Sequence, residues 1–194
     1  MFYNIAKYVL RLMYLFMFRV EVRGVENIPK DGPVIICANH SSNFDPISTA
    51  IYSKRPVCFM AKKELFSNAF MKRLMKSLNA FPVDRDSADM KSFKTTLEIL
   101  KKGKVLGIFA QGRRVKEGEK NDAKAGVALF ALKGNAVVIP AGISGNYKLF
   151  SKVRINYGKP VNIDEYRGKR VRTETLELIT EKIMTEVEKL RTEE

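Results

Sequence analysis

From residue 33 onward, short apolar runs of four to six residues alternate with longer stretches whose apolar side chains recur every three or four positions. Runs that short, rich in Val, Ile and Phe and bounded by turn residues, read as buried strands. The longer stretches read as amphipathic helices. A repeated strand-then-helix order leaves few solutions, because each helix must cover a face of the sheet and successive strands then run parallel. The expected fold class is α/β, with a largely parallel central sheet flanked by helices.

The expected strands are residues 33–38, 57–60, 80–83, 104–109 and 136–140, with Ile143 extending the last. Residues 152–157 alternate in polarity and are expected at a sheet edge. The expected helices are 46–53, opened by Asp45 as N-cap and Pro46 as first residue; 65–78; 88–102, stopped by Gly103; 123–133, stopped by Gly134; and the charged stretch 173–190. In open α/β sheets, sites gather where strands end. The most polar segments fall at such places, at 39–45, 84–86 and 111–114.

Residues 2–18 contain no Gly or Pro, and Asn4, Lys7 and Arg11 share one helical stripe among Phe, Tyr, Ile, Val, Leu and Met. The uncharged run 12–18 is far short of the roughly 20 residues a bilayer requires. A signal peptide fits poorly, since only Lys7 precedes the apolar part and no Ala-x-Ala site follows. The expectation is a helix lying on a phospholipid membrane surface with Lys7 and Arg11 toward lipid phosphates. The alternative is a helix packed on the protein's own core. This divides the chain into a membrane-association helix, 1–20, and a domain, 21–194. A second amphipathic stretch, 65–78, carries Phe66, Phe70, Leu74 and Leu78 in a row beside Lys72, Arg73 and Lys76. It reads equally as a lipid-facing or an ordinary surface helix.

Thirty-five Lys and Arg against 21 Asp and Glu leave a formal net charge of +14, which calls for an anionic partner. Nucleic acid, anionic headgroups and phosphorylated substrates all satisfy charge alone. No nucleic-acid-binding motif is found, and the apolar N-terminus has no use in such a protein, so no nucleic-acid partner is expected. Cys37 and Cys58 sit in apolar runs and are expected to be buried free thiols. With no Cys-x-x-Cys, paired histidines or acidic ligand spacing, no metal or other cofactor is expected.

The chain has one histidine, in Asn39-His40-Ser41-Ser42-Asn43-Phe44-Asp45-Pro46. A regular helix would put His40 and Asp45 on different faces, but a turn through Ser41, Ser42 and Asn43 can fold the carboxylate onto the ring. A carboxylate accepting from Nδ1 fixes the tautomer and leaves Nε2 free as a base, and imidazole's ordinary pKa of about 6.5 suits proton transfer at neutral pH. From spacing alone, a structural histidine and an N-capping aspartate read as well as a catalytic pair.

The His40-x-x-x-x-Asp45 spacing resembles the first sequence block of the glycerolipid acyltransferases, most closely the bacterial branch that acylates lysophosphatidic acid. Further blocks follow in the family's order. Phe81-Pro82-Val83-Asp84-Arg85 resembles the second, Phe109-Ala110-Gln111-Gly112-Arg113-Arg114 the third, and Val138-Ile139-Pro140 the fourth. Lys62-Lys63-Glu64-Leu65 is similar to a stretch that supplies a phosphate-binding lysine. The resemblance runs from about residue 24 to 160. It implies His40 and Asp45 as catalytic residues, and Lys62, Arg85, Gln111, Gly112 and Arg114 as substrate-binding residues. The implied reaction moves a fatty acyl group from acyl-CoA or acyl carrier protein to the sn-2 hydroxyl of lysophosphatidic acid, giving phosphatidic acid at the cytoplasmic face of the cell membrane. Glycerol 3-phosphate, another lysolipid, or non-enzymatic binding of anionic lipid are the alternatives. The third block departs from the family pattern: Ala110 stands for its usual proline and Gln111 for its usual glutamate. Glutamine keeps an acceptor oxygen and loses the charge.

Overall fold

The computed structural model describes residues 2–84, 89–111 and 125–193. Its strands are β1 (Arg19–Arg23), β2 (Val34–Ala38), β3 (Val57–Lys62), β4 (Ala80–Val83), β5 (Val105–Phe109), β6 (Val137–Ser144) and β7 (Lys152–Tyr157). Its helices are α1 (Phe2–Met17), α2 (Asp45–Tyr52), α3 (Ala69–Ser77), α4 (Met90–Lys101), α5 (Gly126–Lys133) and α6 (Thr173–Thr192). The strands form one sheet in the order β1-β7-β6-β2-β5-β3-β4, parallel throughout except for the β6–β7 pair. The α/β class and the mostly parallel sheet expected from the alternation are what the chain adopts.

β2 shows why the sheet needs both faces covered. All five of its residues are buried. Val34, Ile36 and Ala38 join one core with Val57, Val105, Ile139 and Ile155, while Ile35 and Cys37 join another with Leu106, Val138 and the α6 residues Ile179, Ile183 and Val187. Successive side chains point to opposite faces, so a strand buried on both sides must be apolar at every position. α4, α5 and α6 cover the second face. α6 reaches it closely because β6 offers Gly142, where a Cβ would sit 2.2 Å from the Arg191 backbone nitrogen.

Three expectations need correction. β1 was not anticipated, and its pairing with β7 (Arg19 beside Lys152) makes β7 interior and β1 the edge. The polar positions that made β7 look like an edge have partners: Arg154 donates to Glu21 at 3.3 Å across the β1–β7 pair, and the Asn156 amide donates to the Leu190 carbonyl at 2.9 Å. The stretch 65–78 is not one helix. A short 3-10 turn, Lys63–Phe66, precedes α3, and the Asn68 side chain caps α3 by accepting from Met71 N at 2.8 Å. Phe66 therefore lies outside the row formed by Phe70 and Leu74.

The third correction concerns α1, whose Lys7 turns toward the protein while Asn4 and Arg11 remain exposed. The Tyr3 hydroxyl accepts from Val57 N at 3.1 Å. The Lys7 ammonium donates to the Ser53 carbonyl at the end of α2, where a helix exposes unpaired carbonyls and favours a cation. Burial lowers the Lys7 pKa, with the Arg11 charge adding to the effect. The Arg11 guanidinium lies 5.4 Å above the Tyr52 ring. Lys7 is therefore not turned outward as expected, whereas Arg11 lies along the Tyr52 ring and stays exposed. Tyr14 and the following Phe18 are buried with Ile51 and Val153. The outward face of α1 is apolar, with Tyr8, Leu12, Leu15 and Phe16 each more than half exposed. Among the described residues no helix is long and apolar enough to cross a membrane.

Candidate active site

β2, β5 and β3 lie side by side and parallel, so the residues at their C-terminal ends meet at one edge of the sheet. Beyond the end of β2, the buried Asn39 side chain takes over from the ladder. Its amide donates to the Ile143 carbonyl at 2.9 Å, and its oxygen accepts from Ile143 N at 2.7 Å. That clamp to β6 fixes the start of the loop that carries His40.

The loop then closes on Asp45. Nδ1 of His40 lies 3.1 Å from Oδ2 of Asp45, and the same oxygen accepts from Ser41 N and Ser42 N at 2.7 Å each. Asp45 is the first residue of α2, and its carboxylate turns back onto the preceding loop instead of capping the helix forward. The N-cap expectation is thus corrected: Phe44 holds that position without a side-chain bond. The helix N-terminus still favours the negative charge. The Asp45 side chain is wholly buried and that of His40 is 12% exposed. Because a carboxylate can only accept, the ring proton belongs on Nδ1 and Nε2 is left as a base.

Two further contacts fix the histidine. Its ring lies on that of Phe109, with centroids 4.3 Å apart and planes 26° from parallel. Phe109 in turn stacks on Phe59, at 6.0 Å and 14°. Gly107 makes room for this row, since a Cβ there would lie 2.1 Å from the Phe59 ring. Gln111 contributes its oxygen, which accepts from the His40 backbone N–H at 3.0 Å. The position occupied by the family's glutamate thus serves here as a neutral acceptor that ties the end of β5 to the histidine loop.

On the other side of Asp45, the Tyr147 hydroxyl lies 2.9 Å from Ser48 Oγ, and Tyr14 of α1 reaches the Phe44 carbonyl at 3.4 Å. Burial, with smaller contributions that include the Asp45 charge, pushes the Tyr14 pKa up to about 12. The Tyr147 pKa is pushed higher still, by burial first and the Asp45 charge next.

Of the residues expected at the site, His40, Asp45 and Gln111 come together. Lys62 is the exposed last residue of β3 and pairs in register with Val83, the end of β4. Arg85, Gly112 and Arg114 lie outside the described residues. Sequence reasoning missed Phe109 and Tyr147. Phe109 ends a strand, but only the β2–β5 register, which sets Ala38 beside Phe109, reveals that it lies beneath His40. Cys37 and Cys58 are free and buried, and burial pushes the Cys37 thiol up to about 12, which suits packing and not nucleophilic attack. Among the described residues no three His, Cys, Asp or Glu side chains form a group able to hold a metal.

A family model described as Acyltransferase matches residues 19–144. The chain is similar to the 1-acyl-sn-glycerol-3-phosphate acyltransferase of Bacillus subtilis (strain 168), with 35% identity over 149 residues, covering 74% of each protein. It is also similar to the enzyme of that name from Streptococcus pneumoniae (strain ATCC BAA-255 / R6), with 30% identity over 199 residues, covering 98% of this chain and 73% of that one. Among solved structures, the 1-acyl-sn-glycerophosphate (LPA) acyltransferase PlsC from Thermotoga maritima matches with a TM-score of 0.76 and 25% identity. That match covers all of this chain and 80% of the other. The family match spans well over half of the 194 residues and includes the whole His40–Asp45 loop, and on that basis the chain belongs to the Acyltransferase family.

Proposed function

We propose that this protein transfers a fatty acyl group from a thioester donor to the sn-2 hydroxyl of lysophosphatidic acid, giving phosphatidic acid. The observation that carries the proposal is the 3.1 Å contact between His40 Nδ1 and the buried Asp45 carboxylate, which leaves Nε2 free at the end of β2. Nε2 removes the proton of the sn-2 hydroxyl as its oxygen attacks the thioester carbonyl. The C–O bond forms, the C–S bond breaks, and the proton leaves His40 for the departing thiolate. Asp45 holds the ring and stabilises the imidazolium. No side chain is acylated.

The names of the relatives support the choice of acceptor, and the +14 charge suits a phosphorylated one. Lys62, Arg85 and Arg114 are assigned to the phosphate, since charge-assisted contacts from Lys and Arg are the strong way to hold it. Gly112 is likewise assigned to substrate binding. The apolar outer face of α1, flanked by exposed Leu149 and Phe150, is assigned to a phospholipid surface at the cytoplasmic face of the membrane. Phe150 N donates to the Met17 carbonyl at 2.6 Å, which joins that segment to the end of α1.

The test is thiol release from acyl-CoA, and from acyl carrier protein, with lysophosphatidic acid, glycerol 3-phosphate or another lysolipid as acceptor. Release that depends on lysophosphatidic acid, with phosphatidic acid as product, supports the assignment. Equal release with any acceptor, or with none, contradicts it.

A further inference from the structure

Asp45 uses its two oxygens unequally. Oδ2 serves the His40 ring and two amides, whereas Oδ1 is buried and has no hydrogen-bond partner among the described residues. A buried carboxylate oxygen without a donor is uncommon and calls for an explanation. The phenol of Tyr147, from the segment between β6 and β7, faces this carboxylate. Its ring stacks on that of Phe44, with centroids 5.3 Å apart and planes at 28°, and its hydroxyl lies 2.9 Å from Ser48 Oγ, one turn along α2 from Asp45. Tyr147 has φ +50°, a left-handed conformation that a bulky residue adopts only when its surroundings hold it there. The stack and the hydroxyl contact supply that hold. Burial and the Asp45 charge keep the phenol protonated and therefore a donor. The titratable groups facing Asp45 among the described residues are His40 in its own loop, Tyr14 from α1, and Tyr147.

We infer that Tyr147 is a positioning residue for the His40–Asp45 pair: its hydroxyl turns from Ser48 to donate to the free Oδ1 of Asp45. The donated bond fixes the plane of the carboxylate and draws part of its charge away from the imidazole. The inference rests on the proposed acyl transfer for its kinetic readout and stands apart from it for its spectroscopic one.

The test uses the full chain with Tyr147→Phe, which keeps the ring on Phe44, and with Ser48→Ala, which removes the contact between the phenol and Ser48 Oγ. A carboxylate that has lost a donor pulls harder on the ring proton, so at a given pH less of the enzyme is in its base form. For Tyr147→Phe we expect kcat to fall about tenfold, with KM for the acceptor within about twofold and the acid limb of the kcat profile moved to higher pH. Ser48→Ala is expected to keep the parent profile. Because the chain has one histidine, its ring signals can be followed by NMR without turnover, and their titration is expected to move the same way in Tyr147→Phe. An unmoved profile and titration overturn the inference, whether or not the variant melts earlier. Equal effects of both variants overturn it too, because the Ser48 contact would then be the one that matters. A parent chain without transferase activity, but with a His40 titration that moves in Tyr147→Phe, refutes the proposed reaction and upholds the role of Tyr147.

Discussion

Oδ2 of Asp45 lies 3.1 Å from Nδ1 of His40 while accepting from the amides of Ser41 and Ser42, so one oxygen orients the ring and closes the loop that carries it. An asparagine at this position can present its carbonyl oxygen to the same three groups but brings no charge to balance an imidazolium. Asp45→Asn is therefore expected to stay folded and to lose about a hundredfold or more in kcat. Thiol release and a thermal melt on the same preparation check both parts.

Gln111 is expected to tolerate the family's residue and to reject an apolar one. Its oxygen accepts from the His40 amide at 3.0 Å, and a carboxylate can do the same. Gln111→Glu should keep activity within about threefold. Gln111→Leu leaves that N–H without its partner and should lose about tenfold, by the usual cost of an unmade hydrogen bond. Steady-state kinetics of the two variants decide it, and a Leu variant as active as the parent would remove Gln111 from the site.

The outer face of α1 yields a prediction about lipid. Leu12 and Phe16 are 57% and 72% exposed, so glutamates there disturb little internal packing. Each large apolar side chain moved from water into an apolar phase contributes about 1.5–3 kcal/mol, so Leu12→Glu with Phe16→Glu should weaken binding to phosphatidylglycerol vesicles about a hundredfold or more. Co-sedimentation measures this, and the melting temperature should not move. Unchanged binding would assign α1 to the protein's own core alone.

Alkaline pH should destabilise the fold. In the folded chain the Cys37 thiol is pushed up to about 12 from its ordinary 9.0, and the Tyr14 phenol up to about 12 from 10.0, in both cases chiefly by burial. Between those values the unfolded chain has released protons that the folded chain still holds. The stabilisation is therefore complete below about pH 9 and is lost as the pH rises toward about 12. Urea midpoints measured from pH 8 to 11 should fall steadily, and Cys37→Ala should flatten the fall. A level midpoint would contradict the burial of these groups.

The architecture was largely legible because β2 is apolar at every residue and helix-length stretches separate the strands, patterns that only a covered parallel sheet satisfies. β1 was not legible. Arg19-Val20-Glu21-Val22-Arg23 alternates, but five residues following a long apolar helix gave no reason to separate the two, and its partner β7 is more than a hundred residues away. The inward turn of Lys7 was not legible because helical spacing places Lys7 and Arg11 together without saying what lies opposite. The Ser53 carbonyl and the Tyr52 ring are tertiary facts. At the site, the loop itself encodes the fold-back of Asp45. The ring beneath His40 and the phenol behind Asp45 arrive from β5 and from the segment after β6, and spacing within one segment carries no trace of either.

The most direct test of the central claim is thiol release from acyl-CoA with lysophosphatidic acid by purified His40→Ala, compared with the parent chain at equal folded concentration. The account predicts acceptor-dependent release by the parent and release no faster than background by the variant, with matching thermal melts. Release by the variant at the parent's rate would contradict it.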